Sequence, residues 1–563
     1  MDSTSSLRSA SEALIQVIQY NPAKTAPEDA HAIRSNAVRY QWERSKEVRP
    51  RGRKSKVPKS LALAPEQASR IPEDDCADDD VPYPHLGPGY RKEANRCKDL
   101  DALPPPARSS LLEPGNYPSE LPSGSIAPLL RLVHMVTSGT FVGDQAPKMS
   151  VIASRYVQQL RSHPASFHAA IWVCAKGMVD KSSSNPSVVK HRRFLDTCHS
   201  IAVKSVIEMI SELDGSDYAN PTEELGMLCS AMQSLALGTT EDVHLDALRP
   251  GPRQSTLKKL QNLYLWGAAP RWLNYHEEAA RKILHANNCM DPFWAGLRVC
   301  QTQNDIISSC RTLTKPRSPC WFLNVDFADF YNKVTLQMEP RLTPGFTTYA
   351  TTLSMTLSEP LLSVISDLIL YASIQEALLS NRLTWFGLEY VCDARNWTQH
   401  QTMSLPSREE TVMLAKQPQQ AIMFNAVRHA LIVYSLIAVF PLPLPSAPFP
   451  VLADRLDSDI SQLLQDGQGA TSATLLLWLS SMAALAAIGT PKRVPLVTLT
   501  AHFCQHLHIS DWESMQATLQ DFLWAGEISD FDGMYLFLEV QKQMFELDNG
   551  ITTPEYEISR AVV

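Results

Sequence analysis

Paired cysteines and a phosphate-cradling glycine loop are missing from this 563-residue sequence, and two apolar runs that could suggest a membrane span stop short of one. Each absence excludes a class. Eleven cysteines are scattered from Cys76 to Cys504 without paired spacing, and Met1-Asp2-Ser3-Thr4 opens no signal peptide; both predict a reducing compartment with reduced thiols. The apolar run Leu431 to Phe440 is stopped by Pro441, Pro443 and Pro445, and Thr474 to Ile488 ends at Gly489 and Pro491. Both fall short of the roughly 20 residues a bilayer requires, which predicts core helices and no membrane partner. There is no GxSxG, P-loop or GxGxxG pattern, so no nucleophile elbow or nucleotide loop is expected. Charge is also sparse, at 20% of residues, and the net value is −8. A chain of that balance does not coat nucleic acid along its length, so any such contact must be local.

Apolar residues, by contrast, make up 44%, enough for a sizeable core. Composition changes near residue 125. Residues 1–60 form a basic segment, residues 61–124 an acidic, proline-rich linker unable to bury enough apolar surface to fold, and residues 125–563 a helical domain. Val203, Val206, Ile210 and Leu213 are spaced as one helical face. Leu225, Leu228, Met232 and Leu235 repeat the pattern, with Asn220 as cap and Pro221 in the first turn. Ser510 and Glu513 fit a capping box opening a helix with the stripe Trp512, Met515, Leu519, Phe522 and Leu523. Leu475 to Ile488 is apolar all round, which predicts a central helix. No train of alternating strands is found, so the fold class predicted is all-α.

The basic segment is the most informative local feature. Pro27 to Val48 reads as a helix with the stripe Ala30, Ile33, Ala37 and Tyr40, decorated by Arg34, Arg39, Arg44 and Lys46. It runs into Arg49-Pro50-Arg51-Gly52-Arg53-Lys54-Ser55-Lys56. Gly52 between two arginines lets an extended backbone approach the floor of a narrow groove, where A·T tracts concentrate negative potential. A nuclear-import signal needs only the charge. Both readings stand, and they are compatible.

Metal and enzyme patterns are incomplete. His502, Cys504, His506 and His508 lie close together, but no HExxH and no second ligand cluster accompany them, so neither a metal nor a cofactor is expected. Asp74-Asp75-Cys76-Ala77-Asp78 matches the DDxxD pattern of all-α terpene synthases, and Asn304-Asp305-Ile306-Ile307-Ser308 resembles part of their second metal motif. The first motif sits between Pro72 and Pro82, which disfavours a helix, and Thr312 stands where the second needs glutamate. Phe322 to Tyr331 reads as a packing element with solvated acids.

Several stretches resemble the fungal-specific transcription-factor regulatory domain, in the branch whose members often lack the zinc cluster. Ile15 to Ile18 followed by Ala32 to Arg39 is similar to that branch's opening segment, with Asn36 where histidine is usual. Leu260 to Gly267, His276 and Ile283-Leu284 resemble its mid-domain helix pair, with Asn287-Asn288 in place of Gly-Gly. Leu476-Leu477-Trp478 to Gly489-Thr490-Pro491, through Trp512 and Phe522-Leu523-Trp524, is the best-matching stretch. The resemblance implies an all-α fold, nuclear location and transcriptional regulation without catalysis. Expected partners are A·T-rich DNA, other transcription regulators and a second copy of the chain; the alternatives are a nuclear cofactor that binds another regulator without touching DNA and a terpene-synthase-like helical enzyme.

Overall fold

Apolar residues that recur every three or four positions are helical wherever the computed structural model describes them. It describes residues 163–179, 188–212, 222–238, 274–287, 292–322, 326–338, 342–379, 388–440, 448–465, 472–524 and 526–548. Among these residues there are sixteen α-helices and no strand. The fold class is all-α, as the periodicity predicts.

The first group comprises α1 (Pro164–Val179), α2 (Val188–Glu212), α3 (Glu223–Gly238), α4 (Asn274–Ala286) and α5 (Pro292–Thr312). α3 is its centre and packs against the other four. Its predicted stripe of Leu225, Leu228, Met232 and Leu235 is buried, and so are Cys229, Ser230 and Ala231 between them. The helix starts where the Thr222 hydroxyl accepts from the Leu225 N–H at 3.2 Å, so Thr222 takes the capping role expected of Asn220, which lies outside the described residues. Glu223 and Glu224 in the first turn suit the positive end of the helix. On α2 the buried row is Cys198, Ala202, Val206 and Met209, whereas Val203 and Ile210 are half-buried. The buried face is therefore rotated from the predicted one, with Val206 common to both.

The second group is longer: α6 (Phe327–Met338), α7 (Pro344–Ala350), α8 (Met355–Leu379), α9 (Leu388–Ser404), α10 (Arg408–Leu414), α11 (Pro418–Ala438), α12 (Pro448–Gln465), α13 (Ala473–Ala486), α14 (Arg493–His506), α15 (Trp512–Gln520) and α16 (Gly526–Asp548). α5 joins the groups by packing on α9 and α12. α13 is the predicted central helix: every residue from Leu475 to Ala486 is buried, among α11, α12, α14, α15 and α16. Its Ser480 and Ser481 hydroxyls donate to the Leu477 carbonyl at 3.1 and 2.7 Å, so neither is left unpaired in the core. Trp478 is fully buried, donates its indole N–H to the Leu523 carbonyl at 3.1 Å, and meets Phe346 edge-on at 5.4 Å.

Two boundaries differ from the sequence reading. α11 begins at Pro418, so Leu431 to Ala438 is the end of a 21-residue helix and not a short isolated run. α8 and α11 are long and apolar enough to cross a membrane by length and composition; α11 has 89% of its most apolar window buried inside the protein. At α15 the cap is Asp511, whose carboxylate accepts from the Ser514 N–H at 2.8 Å, while Ser510 donates to Asp511. The charged acceptor wins because backbone N–H groups bind an anion more strongly. A capping box does form at α10, between Ser407 and Glu410.

The Gly-Thr-Pro turn has a physical reason. Gly489 has φ 78, a left-handed conformation that turns the chain after α13, and the Thr490 N–H and hydroxyl both bond the Ala487 carbonyl, at 3.0 and 2.7 Å. On α16 a Cβ at Gly533 would lie 2.4 Å from both the Trp512 and Trp524 rings, so this position admits no side chain while those rings keep their places.

Candidate functional site

α9 has the sequence of a surface helix and the location of a core one. Asp393, Arg395, Asn396, Thr398, Gln399 and Thr402 are all fully buried. Polar groups in such a place need hydrogen bonds to offset lost water. Part of that need is met. Gln399 Nε2 donates to Ser435 Oγ of α11 at 3.1 Å and to Cys310 Sγ of α5 at 3.3 Å. Thr402 Oγ1 donates to the Thr398 carbonyl at 2.8 Å, and the His400 ring bonds the Ser318 carbonyl at 2.9 Å. From α8, Gln375 Nε2 donates to the Ala438 carbonyl at 2.9 Å.

Arg395 is the unusual member. Its Nε and Nη2 both donate to Asn396 Oδ1, at 3.2 and 2.9 Å, and Nη2 also reaches Cys392 Sγ at 3.2 Å. Its guanidinium lies over the Phe440 ring, 5.3 Å from the centroid, just past the end of α11. Arg395 Nη1, Asn396 Nδ2, Gln399 Oε1 and Gln375 Oε1 are buried with no protein hydrogen bond. Burial pushes the Cys392 thiol up, against the opposing pull of Arg395, so this sulfur stays protonated. Cys300 and Cys310 on α5 are raised to about 12 by burial as well. The seam between α5, α8, α9 and α11 is therefore polar, with buried donors and buried acceptors both left without a protein partner.

A second polar centre joins α10, α11 and α12. The buried His429 donates from Nδ1 to Asp459 Oδ2 at 2.8 Å; burial lowers its pKa and keeps the imidazole neutral. Arg408 Nη2 stands 3.8 Å from Asp459 Oδ1, an ion pair too long to count as a hydrogen bond, which is why that oxygen has no bonded partner. Lys315 closes on Glu410 at 2.6 Å and ties the loop after α5 to α10. These bonds hold helices together.

The residues singled out in the sequence separate sharply. Arg34, Arg39, Arg49, Arg51, Gly52, Arg53, Lys54 and Lys56 lie outside the described residues, as does the acidic run from Asp74. Asp305 is described and buried, and its carboxylate accepts from the Arg317 and Ser318 N–H groups at 2.7 and 2.6 Å. It latches a loop, which explains an aspartate here without any metal. Thr302 does the same for the Trp321 N–H at 3.0 Å. Cys504 is buried while His506 and His508 are exposed, so these neighbours in sequence point to different surroundings; among the described residues no three potential ligands gather as a metal-binding group. The acids of Phe322 to Tyr331, Asp326 and Asp329, are exposed as expected, and Asp326 accepts from the Tyr390 hydroxyl at 2.9 Å. Arg395 and its neighbours were not picked out in the sequence. Their one visible signal is the density of amide and hydroxyl residues on α5 and α9 between strongly apolar helices.

No family model, curated protein or solved structure matches this chain.

Proposed function

We propose that the chain is a non-catalytic regulator of transcription that works in the nucleus. The single observation behind this reading is the run Arg49 to Lys56, with Arg51-Gly52-Arg53 at its middle, in a chain of net charge −8. Positive charge gathered at one point of an acidic chain suits import and local DNA contact. Arg51 and Arg53 lie along an A·T-rich minor groove while Arg49, Lys54 and Lys56 face phosphates. Lys54 stands where the AT-hook, a short DNA-binding arm that this segment resembles, has proline. The helical part serves other regulators as partners, an assignment supported by exposed apolar side chains on α10 (Val412, Met413, Leu414) and α16 (Met534, Leu538). Those same side chains favour the second reading, a nuclear cofactor recruited by another regulator.

Titration of the full chain against A·T-rich and G·C-rich duplexes at two salt concentrations separates the two. Five neutralised phosphates give a slope of log affinity against log salt of about −4 to −5. Tighter binding to A·T-rich duplex, lost on Arg51→Ala with Arg53→Ala, is expected. Equal affinity for both duplexes reduces the segment to a charge-only import signal and favours the cofactor reading.

A further inference from the structure

We propose that the outer face of α16 is where a second copy of this chain docks, running antiparallel about a two-fold axis. The inference stands apart from the DNA reading and narrows the partner assignment: α16 goes to a second copy, and α10 is left for other regulators. A helix at the surface of an all-α fold ordinarily shows solvent a polar side. α16 does not. It packs on α11, α13, α14 and α15 and buries Leu536, Phe537 and Val540 on that side. Its outer side is apolar as well, with Met534, Leu538 and Phe545 at 49, 56 and 67% exposed. Positions 534, 538, 541 and 545 follow one another at steps of four, three and four. On a helix these steps make one seam about 16 Å long.

The spacing says what fits that seam. Four, three, four reads the same in either direction, so the seam complements itself when a second α16 runs the opposite way. Met534 then lies against Phe545 of the second copy, and Leu538 against Gln541, each layer occurring twice. Charge points to the same arrangement. The Lys542 side chain is exposed at one edge of the seam, 3.8 Å from Glu546 of its own helix. Antiparallel pairing sets it between Tyr535 and Glu539 of the second copy. Glu539 is held ready there by Arg493 of its own chain, at 2.9 Å. In a parallel copy Lys542 would meet Phe537 and Met544 and no acid, so charge favours the antiparallel one. A seam of four residues a side lies at the small end of specific interfaces, so the copies exchange, with a dissociation constant of roughly micromolar order.

The test is sedimentation velocity of the full chain over about two decades of concentration around micromolar. The wild type should pass from monomer to dimer across that range. Leu538→Glu sets like charges in the middle of the seam, one from each copy, and should raise the dissociation constant about tenfold or more. Leu538 is more than half exposed, so the fold does not depend on it, and an unchanged melting midpoint of the dilute monomer checks this. Lys542→Glu should weaken the dimer about threefold, since two exposed attractions turn repulsive. Val412→Glu on α10 should leave it unchanged. A wild type that stays monomeric throughout overturns the proposal and returns the face to other regulators. So does a dimer that Leu538→Glu leaves intact, or one lost only with Val412→Glu, which would move the contact to α10.

Discussion

Tyr331 and Asp367 show how a side chain's surroundings set its behaviour. The Tyr331 hydroxyl donates to Asp367 Oδ1 at 2.5 Å, which favours the carboxylate, yet burial dominates and pushes Asp367 up from 3.8 to about 6. A carboxyl group raised on folding binds more protons folded than unfolded between those values. The folded state therefore loses stability as pH rises from about 4 to about 6, and the penalty is fully present at pH 7. Asp367→Asn removes it while keeping an acceptor for Tyr331. Urea midpoints should place the variant above the wild type at pH 7, with the gap shrinking toward pH 4. A gap that does not change with pH would contradict the assigned cause. None of this was legible in the sequence, because the charge of Asp367 depends on what packs over it. The same holds for Arg395. A lone arginine in a polar stretch predicts solvent, and only the packing of α5, α8 and α11 around α9 makes it a buried cation.

Whole elements were more legible. α3 and α13 could be read directly, since continuous or regularly spaced apolar residues specify burial whatever the neighbours are. α9 could not, because its buried face is polar and gives no stripe. Helix ends were readable as regions and not as residues: Asp511 replaced Ser510, and Thr222 replaced Asn220, each one or two positions away. The end of α14 carries a further consequence. His508 is exposed at φ 56, in the left-handed region, while the Ile509 N–H bonds the Cys504 carbonyl at 2.8 Å to close the helix. Side chains other than glycine are strained there by about 1 to 2 kcal/mol. His508→Gly should therefore stabilise the protein by about 0.5 to 1 kcal/mol, after the entropy that glycine adds to the unfolded chain. Denaturant unfolding followed by tryptophan fluorescence measures this. Destabilisation would mean that His508 makes a contact worth more than the strain, and would bring the group His502, Cys504, His506 and His508 back into consideration.

For the molecule as a whole, two kinds of information divide along the chain. The helical part is explained by its packing, and its polar interior is accounted for mainly by helix-to-helix bonds such as Gln399 to Ser435 and His429 to Asp459. The functional reading comes from the opposite end, where a few arginines and a glycine carry chemistry that no packing argument reaches. That asymmetry explains why the fold class was readable from the sequence alone: apolar spacing repeats over hundreds of residues, whereas a basic run of eight says only where charge is concentrated. The decisive measurement is genome-wide chromatin mapping of the tagged full chain beside its Arg51→Ala, Arg53→Ala, Lys54→Ala variant, with both imaged for location. Nuclear signal and promoter enrichment in the wild type, with loss of enrichment in the variant, is the result we predict. A wild-type chain that stays outside the nucleus, or enters it without enrichment at any promoter, would contradict the assignment to transcription.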